Sequence, residues 1–278
     1  MQPPFLWSQP PYSRHMTIDY RGTTALVTGA SSGLGAEFAR QLAARGADLV
    51  LVARRADRLD ELAAELRSGH GIQTTVIAAD LAVARPGAAL AAGLQQKGIV
   101  VDTLVANAGF GTFGPFDQED GDRVADEIAL NVSGLVDLVH TFYPGMKERG
   151  RGALVTIAST AAYQPVPNMA VYGATKAFVL SFTEALWYEA RHSGLRVLAV
   201  SPGATATEFF DIAGNGEQFG LRRVPVSDVV SQAMRILNRR RGPGSFVSGA
   251  GNSVAAFAAA RIAPRRIATA GAGRLAGA

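Results

Sequence analysis

Three side chains in the middle of this 278-residue chain have the types and spacing to move a proton to or from an oxygen: Ser159, Tyr172 and Lys176. Tyrosine and lysine at positions i and i+4 share one face of a helix. An ammonium ion beside a phenol favours the phenolate, so Tyr172 is expected to titrate below its ordinary value near 10. It would then give a proton to a carbonyl oxygen and take one back when an alcohol is oxidised. The Ser159 hydroxyl, at the end of a strand, would hold the same oxygen. A tyrosine four residues before a lysine is a weak signal alone, since chance produces such pairs often.

A second group of residues answers what such a proton would accompany. The strand ALVT at 25–28 runs into Gly29-Ala30-Ser31-Ser32-Gly33-Leu34-Gly35 and then into a helical pattern. A glycine-rich turn at a helix N-terminus presents backbone N–H groups and the positive end of the helix dipole to an anion, here a pyrophosphate. Gly29 permits the sharp turn, Gly33 allows close approach to phosphate, and Gly35 lets helix pack on strand. About 20 residues on, where a carboxylate would accept hydrogen bonds from the ribose of NAD, the chain has Arg54 and Arg55. Guanidinium groups there would clamp a 2′-phosphate. The expected cofactor is NADPH/NADP in preference to NADH, with Lys176 also placed to bond the nicotinamide ribose and align the hydride donor.

These groups need a scaffold, and the hydrophobic pattern supplies one. Apolar runs at 25–28, 48–53, 74–79, 102–106, 153–159 and 196–201 lack the alternation of half-exposed strands, as in a parallel sheet covered on both faces. Amphipathic stretches at 35–45 and 57–67, with helical patterns at 88–97, 120–147, 170–192 and 227–241, lie between and after them. SFVS at 245–248 closes the series. Right-handed crossovers then predict an α/β doubly wound Rossmann fold, a single domain with a roughly seven-stranded parallel sheet flanked by helices. Residues 1–20 read as a disordered arm, 21–250 as the oxidoreductase domain, and 251–278 as an Ala/Arg-rich, partly helical tail.

Composition narrows the chemistry. The chain has no cysteine, so disulfides, thiolate nucleophiles and sulfur-ligated zinc are excluded, and its four histidines lack ligand spacing, so no metal is expected. The net charge of +4 is uneven: after residue 220 ten arginines face Asp228 alone. This is read as a solvated arginine-rich surface, with no nucleic acid partner and no membrane span. A cytoplasmic location is expected.

Taken together, the motifs resemble those of the short-chain dehydrogenase/reductases over about residues 24–207. Thr28-Gly29-x-x-x-Gly33-x-Gly35, Asp80-Leu81, Asn107-Ala108-Gly109, Asn131, Ser159, Tyr172-x-x-x-Lys176 and Pro202-Gly203 occur in the family's order and at similar spacing. The resemblance implies that Asp80 and Leu81 contact adenine, and that Asn107, Ala108 and Gly109 line the dinucleotide groove. It further implies that Asn131 is a fourth catalytic residue that kinks its helix and holds a water linking Lys176 to solvent, and that the backbone after Pro202-Gly203, including Thr205, binds the carboxamide with the Thr207 hydroxyl. VARRADRL at 52–59 is similar to NADPH-preferring members. A homodimer or homotetramer packed through the helices around Asn131 and Tyr172 is implied as well.

The loops at the strand ends carry Phe110, Phe113, Phe116, Tyr163, Val166, Met169, Phe209, Phe210 and Phe219, which point to an apolar pocket. The expected substrate is a lipophilic ketone, aldehyde or secondary alcohol, reached under a lid at 204–225. The alternative is a non-catalytic NADPH-binding regulatory protein, against which the full Ser159, Tyr172, Lys176 and Asn131 set argues.

Overall fold

The computed structural model describes residues 17–209, 223–239, 242–275 and 277. Seven strands, β1 (Thr24–Thr28), β2 (Asp48–Ala53), β3 (Thr74–Ala78), β4 (Thr103–Ala106), β5 (Ala153–Ile157), β6 (Arg196–Ser201) and β7 (Ser245–Val247), form one parallel sheet in the order β3-β2-β1-β4-β5-β6-β7. The Rossmann reading therefore holds. The order reverses beside β1, which pairs with β2 on one side and β4 on the other. Such a switch point opens a crevice at the C-terminal strand ends, where both sets of crossover helices turn away.

Successive strand residues face opposite sides, and the core divides accordingly. Val27, Val105 and Val155 are buried with α1 (Gly33–Ala43) and α2 (Ala56–His70) on one face. Leu26, Leu104 and Leu154 are buried with α3 (Pro86–Gln96) and with residues of the long helices on the other. Local signals set the helix ends. Pro86 opens α3, where its missing N–H costs nothing, and Gly71 closes α2 at φ +68 with its N–H on the Arg67 carbonyl.

The single helix expected over 120–147 is instead two helices. Asp120 caps α4 (Gly121–Ile128), its side chain accepting from the N–H groups of Asp122 and Arg123, and a π-helical turn at Ala129–Gly134 separates it from α5 (Leu135–Arg149). The π turn lies where the chain meets two neighbours. The Asn131 side chain is tied to the Phe110 backbone, and the Leu81 carbonyl approaches Gly134 so closely that any Cβ there would collide with it. α6 (Ala170–Ala190) then carries Tyr172 and Lys176.

α7 (Val226–Leu237) covers β6 and packs on α1. The arginine-rich C-terminal segment forms α8 (Ala250–Arg261) and α9 (Arg265–Leu275). Among the described residues, no helix is long and apolar enough to cross a membrane.

Candidate active site

The glycine turn leaves β1 at Thr28 and enters α1 at Gly33. Gly29 and Gly33 have φ of +64 and +54, which an L side chain adopts only under strain. Gly35 is required for a different reason, because a Cβ there would strike the Gly29 carbonyl oxygen and the Asn107 amide. Asn107 fixes this floor. Its backbone N–H donates to Thr28 Oγ1 at 3.0 Å and its side-chain amide to the Thr28 carbonyl at 2.9 Å, while the Ala108 N–H reaches the same Thr28 hydroxyl at 3.0 Å.

At the far end of the turn, the Arg55 guanidinium donates to Ser31 Oγ at 3.1 Å and Ser32 Oγ at 3.0 Å. Its remaining arm meets Glu208 at 2.9 Å, and Arg58 meets the other oxygen of the same carboxylate at 2.6 Å. Arg54 lines the same cleft from an exposed position. Of the two arginines singled out from sequence, Arg55 is thus the one that organises the turn. Arg58 and Glu208 were not anticipated. Arg58 lies in the first turn of α2, three residues beyond its N-cap Arg55; nothing in the sequence brings Glu208, 150 residues away, to that spot.

At the other end of the cleft stand Ser159, Tyr172, Lys176 and Asn131. Ser159 caps a short 3₁₀ turn (Thr160–Tyr163), its Oγ accepting from the Ala161 N–H at 3.1 Å and sharing a hydrogen bond with the Tyr172 phenol. Lys176 donates to the Ile157 carbonyl at 2.9 Å and stands 5.6 Å from the Tyr172 ring centre. Asn131 is 1% exposed. Its amide donates to the Phe110 carbonyl and Thr175 Oγ1, and its oxygen accepts from the Phe110 N–H.

The electrostatics correct the sequence expectation for the phenol. Burial pushes Tyr172 up to about 12; the Ser159 hydrogen bond pulls it down, and the Glu127 carboxylate adds to the rise. Burial likewise pushes Lys176 down to about 8, opposed by Glu127. Desolvation of an enclosed charge outweighs the attraction between phenolate and ammonium that the i, i+4 spacing suggests.

One cleft of about 1000 Å³ joins the two ends. Gly29, Ser31, Ser32, Gly33 and Leu34 line it, as do Asp80, Leu81, Asn107, Ala108 and Gly109. Pro202, Gly203, Thr205 and Thr207 close it opposite Ser159, Tyr172 and Lys176. Gly35 and Asn131 support the wall from behind. Phe110, Tyr163, Val166, Met169 and Phe209 face the cleft, and the Phe209 ring lies 5.0 Å from that of Tyr172.

Phe116 does not belong to this set: the 3₁₀ turn at Phe116–Gln118 swings it 65% exposed onto another surface beside Ile128, Val132 and Phe178. Phe113 is half-buried outside the cleft. Phe210, Phe219 and most of the expected lid at 204–225 lie outside the described residues. The remaining wall comes from the C-terminal segment, where Asn252 packs against Gly203 and Ala256, Ala259, Ala263, Ile267 and Ala268 line the cleft.

A doubly wound sheet, a glycine turn at its switch point and a Ser–Tyr–Lys–Asn cluster define a dinucleotide-binding oxidoreductase scaffold. The profile of the short chain dehydrogenase family matches residues 23–217, and the chain belongs to that family. It is 39% identical over 197 residues to sulfoacetaldehyde reductase 2 of Chromohalobacter salexigens, covering 69% of this chain and 77% of that one. It is 34% identical over 197 residues to the very-long-chain 3-oxoacyl-CoA reductase of Anas platyrhynchos, covering 69% and 62%. Among solved structures, a short-chain dehydrogenase from Sphingobium yanoikuyae in complex with NADPH superposes with a TM-score of 0.75 at 38% identity, covering 82% of this chain and 88% of that one. The match spans only about 60% of the length of several curated relatives.

Proposed function

We propose that the protein is an NADPH-dependent oxidoreductase that interconverts a lipophilic carbonyl compound and its alcohol. The observation that carries this reading is one cleft with the glycine turn that opens α1 at one end and Ser159 beside the buried Tyr172 and Lys176 at the other. The residues present fit the cofactor: the turn residues Gly29, Ser31, Ser32 and Gly33 line the cleft where α1 begins, and Arg55 and Arg58 converge on one carboxylate where a 2′-phosphate would bear like charge. Gly29, Ser31, Ser32, Gly33 and Leu34 would hold the diphosphate. Asp80 and Leu81 would hold the adenine, and Pro202, Gly203, Thr205 and Thr207 the carboxamide. Bound, the nicotinamide would supply or accept the hydride.

Everything else falls to the chain. Ser159 orients the substrate oxygen against Tyr172, whose buried phenol keeps its proton at neutral pH and yields it as charge develops on that oxygen. Lys176 compensates the phenolate left behind. Gly111 lets the Tyr172 ring pack flat against the backbone, and α8 and α9 with Phe209, Val166 and Met169 exclude water. This apolar wall favours bulky ketones over sugars or charged metabolites. We also propose that the exposed apolar groove of Phe116, Ile128, Val132, Val171, Ala174 and Phe178 is the face of a homo-oligomer.

The test is a panel of aliphatic, aromatic and cyclic ketones, aldehydes and alcohols followed by nicotinamide absorbance, with NADPH and NADH compared in parallel. Turnover of bulky ketones with NADPH favoured supports the reading. Equal use of NADH overturns the cofactor preference, and turnover confined to charged or sugar substrates overturns the substrate class.

A further inference from the structure

The arginine-rich C-terminal segment, read from sequence as a solvated surface, borders the cleft on one side and solvent on the other. Ala256, Ala259, Ala263 and Ala268 line the cleft from α8, the turn after it and α9. Val254, Phe257 and Arg261, spaced i, i+3 and i+7 along α8, share its outward face. The N–H groups of Ile262 and Ala263 both donate to the Ala258 carbonyl, which ends α8, and Pro264 precedes α9. Arg261, Ile262, Arg265 and Arg266 flank this turn, all exposed.

Two properties set this surface apart from an ordinary solvated one. Val254, Phe257, Ile262 and Ile267 are each between 60 and 70% exposed, whereas exposed large apolar residues ordinarily stand singly. Ile267 is at once exposed and part of the cleft lining, so the apolar patch runs into the cleft mouth. Arg261, Arg265 and Arg266 form no ion pair among the described residues, and the sequence has no acidic residue after Asp228 to neutralise them.

The combination selects the occupant. Apolar side chains interleaved with arginines on short helices match a lipid interface, where the apolar groups enter the acyl boundary and guanidinium groups meet headgroup phosphates. A nucleic acid would satisfy the arginines but leave Val254, Phe257 and Ile262 in water. A second copy packed face to face would set like-charged arginines opposite one another, with no carboxylate in the segment to separate them.

We propose that the outer face of α8 and α9 docks on an anionic lipid bilayer, with Val254, Phe257 and Ile262 in the interface and Arg261, Arg265 and Arg266 on the headgroup phosphates. An apolar substrate then passes from the lipid into the cleft past Ile267; this second part rests on the reading of the substrate as lipophilic. The helices lie on the bilayer and do not cross it, in keeping with their lengths of 12 and 11 residues.

The test sediments the full chain with vesicles of phosphatidylcholine alone or with about one third phosphatidylglycerol, in ~0.1 M and ~0.5 M salt. Wild type is expected to bind the anionic vesicles at least about tenfold more than the neutral ones. The triple variant Arg261→Gln, Arg265→Gln, Arg266→Gln loses that preference, and the double variant Phe257→Ser, Ile262→Ser loses the binding that survives high salt. Both keep the fold by circular dichroism and reduce a small water-soluble ketone with NADPH as wild type does, since none of these side chains lines the cleft. Because the chain has no cysteine, Phe257→Cys carries one thiol for an environment-sensitive dye, whose emission shifts to the blue on anionic vesicles only. For the second part, reduction of a long-chain ketone held in anionic vesicles falls at least about fivefold in both variants. No binding, equal binding to the two vesicle types, binding that both variants retain, or a dye already shielded before vesicles are added would overturn the docking. A vesicle-held ketone reduced equally by wild type and both variants would overturn the passage of substrate alone. A wild type that reduces no ketone would remove the substrate reading and the passage with it, while sedimentation and the dye still decide the docking.

Discussion

In the proposed reaction Tyr172 would donate a proton that its buried surroundings keep in place until an oxygen needs it. The same burial that raises the phenol lowers Lys176, and the two shifts act oppositely on folding stability. Between about pH 8 and 10 the unfolded chain binds a Lys176 proton that the native protein does not, so native stability rises with pH. Between 10 and about 12 the native protein holds a Tyr172 proton that the unfolded chain has lost, so stability falls. Urea unfolding across this range is expected to show the rise in wild type and not in Lys176→Met, and the fall in wild type and not in Tyr172→Phe. Glu208 supplies a second case. Arg58 and Arg55 hold its carboxyl below the usual range, and any 2′-phosphate must displace it from them. With both partners well exposed to solvent these ion pairs are weak, so Glu208→Gln should tighten NADPH about two- to fivefold in a fluorescence titration and leave NADH unchanged. The spacing of Ser159, Tyr172 and Lys176 made the cluster legible, because i, i+4 geometry is local. The direction of the phenol's shift, and the placing of Glu127 and Glu208 beside the site, were not legible, because they depend on burial and on contacts across distant segments.

The elements show the same divide between local and tertiary causes. β2 and β6 have the bounds their apolar runs suggest, because a strand buried on both faces leaves a continuous hydrophobic signature. The π turn at Ala129–Gly134 left no trace in the apolar pattern, only the kink at Asn131 that the family resemblance implied, since it forms where Phe110 and Leu81 meet the helix from outside it. α8 was obscured for another reason: its alanines read as bland helix, yet Ala256, Ala259 and their neighbours are small because they border the cleft. Filling that wall is the corresponding test. Ala268→Trp, facing the cleft from α9, should raise KM for bulky ketones at least about tenfold while small ketones and NADPH binding are spared, as steady-state kinetics would show.

Across the whole molecule, a sheet packed on both faces holds the glycine turn and the Ser159–Tyr172–Lys176 cluster in one frame. Leu104, 0% exposed in β4 behind the switch point, is part of that frame, and Leu104→Ala should cost about 2–5 kcal/mol in denaturant unfolding. The outward groove at Phe116 and Phe178 belongs to this scale too, and Phe178→Asp should shift the protein toward monomer in light scattering while the fold persists. The most direct measurement pairs turnover with cofactor binding in Tyr172→Phe. The account predicts that wild type reduces a bulky ketone with NADPH, and that the variant loses at least about a hundredfold in kcat while its NADPH affinity is kept. A variant that reduces the ketone as fast as wild type, with NADPH still bound, would contradict it.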